Sequence, residues 1–143
     1  MRQKLNLITL GVENLQKSIK FYCDGLGWKP SEKSNDNLIL FPLGVGMTLA
    51  LYDRKRLAED TTLQDCGHVG HFHGLTLAFN AKSEEEVDQV LKQVENSGGK
   101  IVKTAQKVFW GGYSGYFTDL DGHVFEVAFN PFWNMDENDN LVL

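Results

Sequence analysis

The sequence predicts an α+β fold: two repeated βαβββ modules forming a cupped β-sheet cavity with the helices outside. Three observations predict it. The order strand, helix, three strands runs twice along the 143 residues. Most predicted strands carry one bulky aliphatic face and one smaller or more polar face, a period-2 pattern that suits a sheet covered on one side. Residues 108–133 read as a β-hairpin around Asp119-Leu120-Asp121-Gly122, where aspartate can bond its own backbone and glycine can take the positive φ of a tight reversal. The expected organisation is a first module at 1–59, a linker at 60–73, a second module at 74–133 and a tail at 134–143.

The elements follow in order. Residues 5–12 alternate, with Ile8, Leu10 and Val12 against Leu7, Thr9 and Gly11. Asn14 is a good N-cap, and Leu15, Ile19, Tyr22 and Leu26 recur at helical spacing until Gly25 and Gly27 stop the helix. Residues 28–32 form a weak strand interrupted by Pro30. A polar turn at 34–37 leads to a short apolar strand at 38–41, and Gly44-Val45-Gly46 turns the chain into a strand at 47–53. There Met47, Leu49 and Leu51 oppose Thr48, Ala50 and Tyr52. Arg54-Lys55-Arg56 opens a short helical turn. The linker after it holds three of the four histidines and is long for a compact domain, so it reads as a crossing or a lid.

In the second half Leu75, Leu77 and Phe79 alternate with Thr76, Ala78 and Asn80. Ser83 and Glu86 make a capping box, and Val87, Val90, Leu91 and Val94 form the apolar stripe of a helix that Gly98-Gly99 ends. A short strand at 100–103 precedes the hairpin, whose strands are expected at 112–118 and 123–129.

Composition narrows the function. With 42% hydrophobic and 23% charged residues the chain reads as a soluble globular protein. A net charge of −5 without a basic patch gives no reason to expect nucleic acid. No run approaches the roughly 20 apolar residues of a membrane span. The first residues show no signal-peptide pattern, and two widely spaced cysteines suggest free thiols, so a cytoplasmic location is expected.

The candidate site comes from parity. On the last strand His123, Phe125, Val127 and Phe129 point one way, and Val124, Glu126 and Ala128 the other. The second set is a carboxylate between two small residues. Leu7, Thr48, Ala50, Tyr52, Thr76 and Ala78 lie on comparable faces of other strands, and Trp110 and Tyr113 are candidate aromatic walls or hydrogen-bond donors. Such a surface suits a small-molecule ligand, with Glu126 as its polar or catalytic group. Two readings of Glu126 stay open: a group that works on a ligand, or a buried carboxylate satisfied by a tyrosine hydroxyl, an indole N–H or water. Trp110 and Tyr113 could equally be core.

The stretches LITLGVENLQKSIKFYCDGLGWKP and DLDGHVFEVAFNPFW, with the run FWGGYSGYF, resemble the vicinal oxygen chelate superfamily of glyoxalases, bleomycin resistance proteins and extradiol dioxygenases. The last run with NPFW resembles a bacterial glyoxalase-like subgroup. The resemblance implies a homodimer. In the metalloenzymes it implies three or four inward ligands, at positions that fall here on Leu7, Ala50, Thr76 and Glu126. Only Glu126 has a good donor atom, and a stable transition-metal site needs three or more. The expectation is therefore no metal and no cofactor.

Other candidates are weaker. His71 and His73 would share a strand face at the cavity rim. Cys66 and His68 lack a third orienting group. Asp136, Asn138 and Asn140 mimic the start of a calcium loop, but its glycine and closing glutamate are missing. Two function classes follow: a metal-free binding module, or a metal-dependent glyoxalase-like lyase or isomerase. The incomplete ligand set favours the first.

Overall fold

The computed structural model describes residues 1–65, 67 and 73–142. The chain divides into two compact units, Met1–His71 with Leu120–Gly122, and Phe72–Asp119 with His123–Leu143.

The first unit contains β1 (Leu7–Val12), α1 (Leu15–Lys20) continued by a π-helical turn (Phe21–Gly25), β2 (Leu38–Pro42), β3 (Thr48–Asp53) and α2 (Arg54–Thr61). Its sheet has the order β1-β3-β2, with β1 parallel and β2 antiparallel to β3. Asn14 caps α1 by accepting a bond from the Lys17 amide at 3.0 Å. Ile39, Phe41, Leu49 and Leu51 alternate onto one face, where they are buried together with Tyr22.

The strand expected at 28–32 does not form, so the first unit is βαββ. Pro30 has no N–H to give a ladder, and the Ser31 amide bonds the Leu40 carbonyl at 2.7 Å outside any continuous pairing. The segment is held by side chains instead: the Trp28 ring lies 5.3 Å from Tyr22 and 5.5 Å from Phe41. Burying those rings stabilises the segment without a strand's hydrogen bonds.

The short turn expected after β3 is a full helix, α2. Asp53 caps it, accepting from the Arg56 amide at 2.9 Å. Gly11 lets α2 approach β1: a Cβ there would lie 3.2 Å from both the Arg54 Cα and a Leu57 methyl. Arg54 is buried and ion-paired with Asp65. The turn residue Asp121, also buried, belongs to this unit. Its two oxygens accept the Glu13 amide at 2.8 Å and the Ser18 hydroxyl at 2.9 Å, which fixes the start of α1.

The second unit contains β4 (Leu77–Ala81), α3 (Glu84–Asn96), β5 (Lys100–Lys107), β6 (Tyr113–Thr118) and β7 (Val124–Phe129). These strands form a sheet of order β4-β7-β6-β5. The Ser83 side chain accepts from the Glu86 amide at 3.2 Å, and Glu86 reaches back to the Lys82 amide at 2.5 Å, one residue before the cap itself. Val87, Leu91 and Val94 are buried, while Val90 sits half-buried at the edge of the stripe. Gly115 lies beneath the helix. A Cβ there would come within 2.7 Å of a Leu91 methyl and 2.9 Å of the Lys103 carbonyl. Phe117 and Phe125 stack on the same sheet face, 5.0 Å apart and nearly parallel.

The residues expected to be a plain tail form a small hairpin, β8 (Asn134–Met135) with β9 (Leu141–Val142). Asp136 closes it by accepting from the Asn138 and Asn140 amides and from the Asn140 side chain at 2.8–2.9 Å. These bonds of Asp136 are internal to the turn, while Asp139 pairs with Lys82 outside it.

Candidate functional site

Register carries Glu126 into a defined row. In the second unit's sheet Ala78 pairs with Glu126, Glu126 with Tyr116, and Tyr116 with Lys103. Directly opposed residues share a face, so one row runs Lys103–Tyr116–Glu126–Ala78 across four strands. The next row holds Gln106, Ser114, Ala128 and Asn80, and the one on the other side begins with Lys100, Thr118 and Val124. The opposite face carries Ile101, Phe117, Phe125 and Val127, the residue set that α3 covers.

Glu126 is half-buried. The Tyr116 hydroxyl donates to its Oε1 at 2.8 Å. That bond, with lesser help from burial and from the carboxylate's charge, raises the Tyr116 pKa above its ordinary value, so the phenol keeps the proton it donates. Among the described residues no other hydrogen bond reaches Glu126, which leaves Oε2 without a protein partner. Lys103 holds its ammonium 5.7 Å from the centroid of the Tyr116 ring.

Lys103 reaches this face through irregularity. β5 shifts register against β6 between Ile101 and Lys103, and again between Lys103 and Gln106. Simple alternation from Lys100 would turn Lys103 toward α3. The extra residue of a bulge reverses the parity and brings it beside Tyr116. The second shift returns Lys107 to the helix side, where it pairs with Tyr113 in register and lies 5.9 Å from that ring.

The residues singled out from sequence are distributed as follows. Ala78 is beside Glu126 in the row. Thr76 precedes β4, which begins at Leu77, and is exposed. Tyr113 points away: its partner in register is Phe129, and its hydroxyl donates to Asp88 on α3 at 3.0 Å. Tyr113 and Tyr116 are three positions apart, an odd step, so the two tyrosines occupy opposite faces. Trp110 lies in the turn before β6, its ring filling the space where a side chain on Gly112 would project. Gly112 is four residues from Tyr116, roughly 13 Å along an extended strand, so the indole marks the end of the face and does not adjoin Glu126.

In the first unit Leu7, Thr48, Ala50 and Tyr52 share one sheet face, with Leu7 opposite Thr48. Leu7 is exposed, Thr48 and Tyr52 are half-buried and Ala50 is fully buried. Cys66, His68 and His71 lie outside the described residues. His73 is exposed. His123 sits just before β7 with its Nδ1 2.8 Å from Asp119 Oδ2, and on the opposite strand parity from Glu126.

Sequence reasoning missed Tyr116 and Lys103. Tyr116 was within reach of it, because the short turn at 119–122 sets Thr118 opposite Val124 and so Tyr116 opposite Glu126. Lys103 gave no comparable signal, since a bulge has no fixed sequence mark. The second unit also carries a cleft of about 360 Å³ between β4, the end of β7 and the C-terminal hairpin, lined by Phe129, Trp133 and Met135. Glu126 is not among its walls, and the Lys82–Asp139 ion pair at 2.5 Å lies along it.

The metal positions implied by the resemblance do not form a donor set. Leu7 and Ala50 have no donor atom, Thr76 offers a hydroxyl, and Glu126 already accepts from Tyr116. Among the described residues no three His, Cys, Asp or Glu side chains come together. Nor is any described helix long and apolar enough to cross a membrane.

Residues 4–127 match the family described as the Glyoxalase/Bleomycin resistance protein/Dioxygenase superfamily. The metallothiol transferase FosB of Staphylococcus saprophyticus is 31% identical over 127 residues, covering 89% of this chain and 77% of that protein. The glutathione transferase FosA of Serratia marcescens is also 31% identical over 127 residues, covering 89% and 81%. Among solved structures, a glyoxalase-related enzyme from Fulvimarina pelagi superposes with a TM-score of 0.88 at 32% identity, covering 99% of this chain and 98% of that one.

Proposed function

The chain belongs to the glyoxalase/bleomycin resistance protein/dioxygenase superfamily, and from that premise we propose that it binds a small organic molecule without a metal, on the sheet face centred on Glu126. One observation supports this reading above the others. A half-buried carboxylate has one oxygen held by Tyr116 and the other without a partner among the described residues. Being part-exposed, that oxygen is open to a hydrogen-bond donor from outside the protein. Tyr116 orients the carboxylate, Ala78 and Ala128 leave room beside it, and Glu126 receives a hydrogen bond or a proton from the ligand.

Incubating the wild type and Glu126→Gln with a small-metabolite extract, followed by mass spectrometry of retained compounds, tests the reading. Expected is a compound retained by the wild type and depleted at least about tenfold with the variant, the loss that goes with one charge-assisted hydrogen bond. Equal retention by both proteins contradicts it.

A second reading has its own support. The relative named metallothiol transferase, 31% identical, favours a metal-dependent enzyme. The donor set argues against it, because one carboxylate cannot hold a transition metal. Elemental analysis after purification without chelator decides: one ion per chain, lost in Glu126→Gln, would establish this second reading.

A further inference from the structure

We infer that the ligand of this face is a small zwitterion, with an ammonium or other strong N–H donor at one end and an anionic group at the other. The inference rests on the reading of Glu126 as a ligand-binding group and goes further by naming what it binds.

The centre of the row can only accept. Glu126 Oε2 lacks a partner among the described residues, and the Tyr116 proton is committed to Oε1, so the exposed lone pairs of both groups face a ligand that must donate. A neutral hydroxyl satisfies that requirement, and an ammonium satisfies it while adding the attraction of opposite charges.

The other end of the row is cationic. The β5 bulge aligns Lys103 with Tyr116, and its ammonium rests over the phenol ring with no carboxylate within ion-pair distance among the described residues. Lys100, one row away opposite Thr118, has no ion pair there either. Other surface lysines of this unit find acids: Lys82 pairs with Asp139, Lys92 with Glu95 and Lys107 with Glu84. Two ammonium groups on β5 and a carboxylate oxygen on β7, each without an ion pair among the described residues, make a field that runs from positive to negative across the sheet.

Spacing sets the size of the ligand. Lys103 and Glu126 stand on strands separated by one intervening strand, roughly 10 Å apart at the backbone. The Lys103 ammonium leans over the Tyr116 ring on the strand between them, so the gap it leaves to Glu126 suits a short ligand with one hydrogen bond at each end. A chain of three methylenes between nitrogen and carboxyl carbon is a probe of that class. The Tyr116 ring forms the floor beneath it.

Three probes of matched length test the inference: 4-aminobutyrate, butylamine and butyrate, each titrated into isotope-labelled protein and followed by NMR at the Lys103, Tyr116 and Glu126 amides. The zwitterion should bind at least about tenfold more tightly than either singly charged probe, since it gains one additional charge-assisted contact. Glu126→Gln should remove its advantage over butyrate, and Lys103→Met its advantage over butylamine. A singly charged probe that binds as well as 4-aminobutyrate overturns the inference. So does an advantage over butylamine that survives Lys103→Met, or the failure of all three probes to shift those amides. Any of these results, found with Glu126-dependent retention of an extract compound, removes the zwitterion and keeps the site. Without that retention the site falls too.

Discussion

Replacing Gly115 with alanine tests how the second unit's helix seats the binding face. The added methyl would sit 2.7 Å from a Leu91 methyl, 2.9 Å from the Lys103 carbonyl and 3.0 Å from the Ala105 amide nitrogen. The first contact can be relieved by a rotamer change or a small helix displacement. The other two are backbone of bulged β5 and can be relieved only by moving that strand. Overpacking of this kind costs about 1–3 kcal/mol, and two backbone clashes place Gly115→Ala at the upper end. Leu91→Ala alone, at a side chain 7% exposed, should cost about 2–5 kcal/mol. The double variant should cost less than the sum of the two, by about 1 kcal/mol, because removing Leu91 relieves one of the three contacts. Urea denaturation followed by far-UV circular dichroism measures all three values. The same strand movement carries Lys103, so the Lys103 and Tyr116 amide resonances should shift in Gly115→Ala. A midpoint equal to wild type, or strict additivity in the double variant, would refute this account of how α3 sits on β6.

Three further outcomes are expected. Tyr116→Phe should lose about 1 kcal/mol in urea denaturation, less than the roughly 1.5–3 kcal/mol of a bond to a charged group because both partners are part-exposed. Tyr116 and Tyr113 both have folded pKa values raised above 10.0, through bonds to Glu126 and Asp88. Their contribution is complete below pH 10 and is lost as pH rises through the folded values, so wild type should weaken above pH 10 more steeply than the Tyr113→Phe/Tyr116→Phe double variant. Asp121→Ala should cost about 2–3 kcal/mol, because it strips the Glu13 amide of its acceptor and leaves the single proton of the buried Ser18 hydroxyl only the Asn14 carbonyl to bond; a thermal midpoint within error of wild type would show the turn to be dispensable.

Much of this was legible in the sequence where local chemistry decides. Asn14 and Ser83 were readable as helix starts because an N-cap needs only a short oxygen-bearing side chain at the right place. The face holding Val124, Glu126 and Ala128 followed from alternation. What was not legible depended on events that alternation does not encode. The bulges of β5 put Lys103 beside Tyr116, and nothing in the run Lys100–Lys107 marks where they fall. Tyr113 was grouped with Glu126 by nearness in sequence, whereas register turns it to α3 and Asp88. The strand near Pro30 had an apolar start, but Trp28 found ring partners in Tyr22 and Phe41 and the segment formed no ladder. At the C-terminus the polar residues suggested only a polar tail; Asp136 uses those same amides to close a hairpin.

Native mass spectrometry of the wild type and Glu126→Gln, purified in parallel without chelator, puts the central claim to its most direct test. The account predicts a non-covalent organic adduct on the wild type, released on collisional activation and absent from the variant, with no metal mass on either protein. A transition-metal ion on the wild type that disappears in Glu126→Gln, or an organic adduct equally abundant on both, would contradict it.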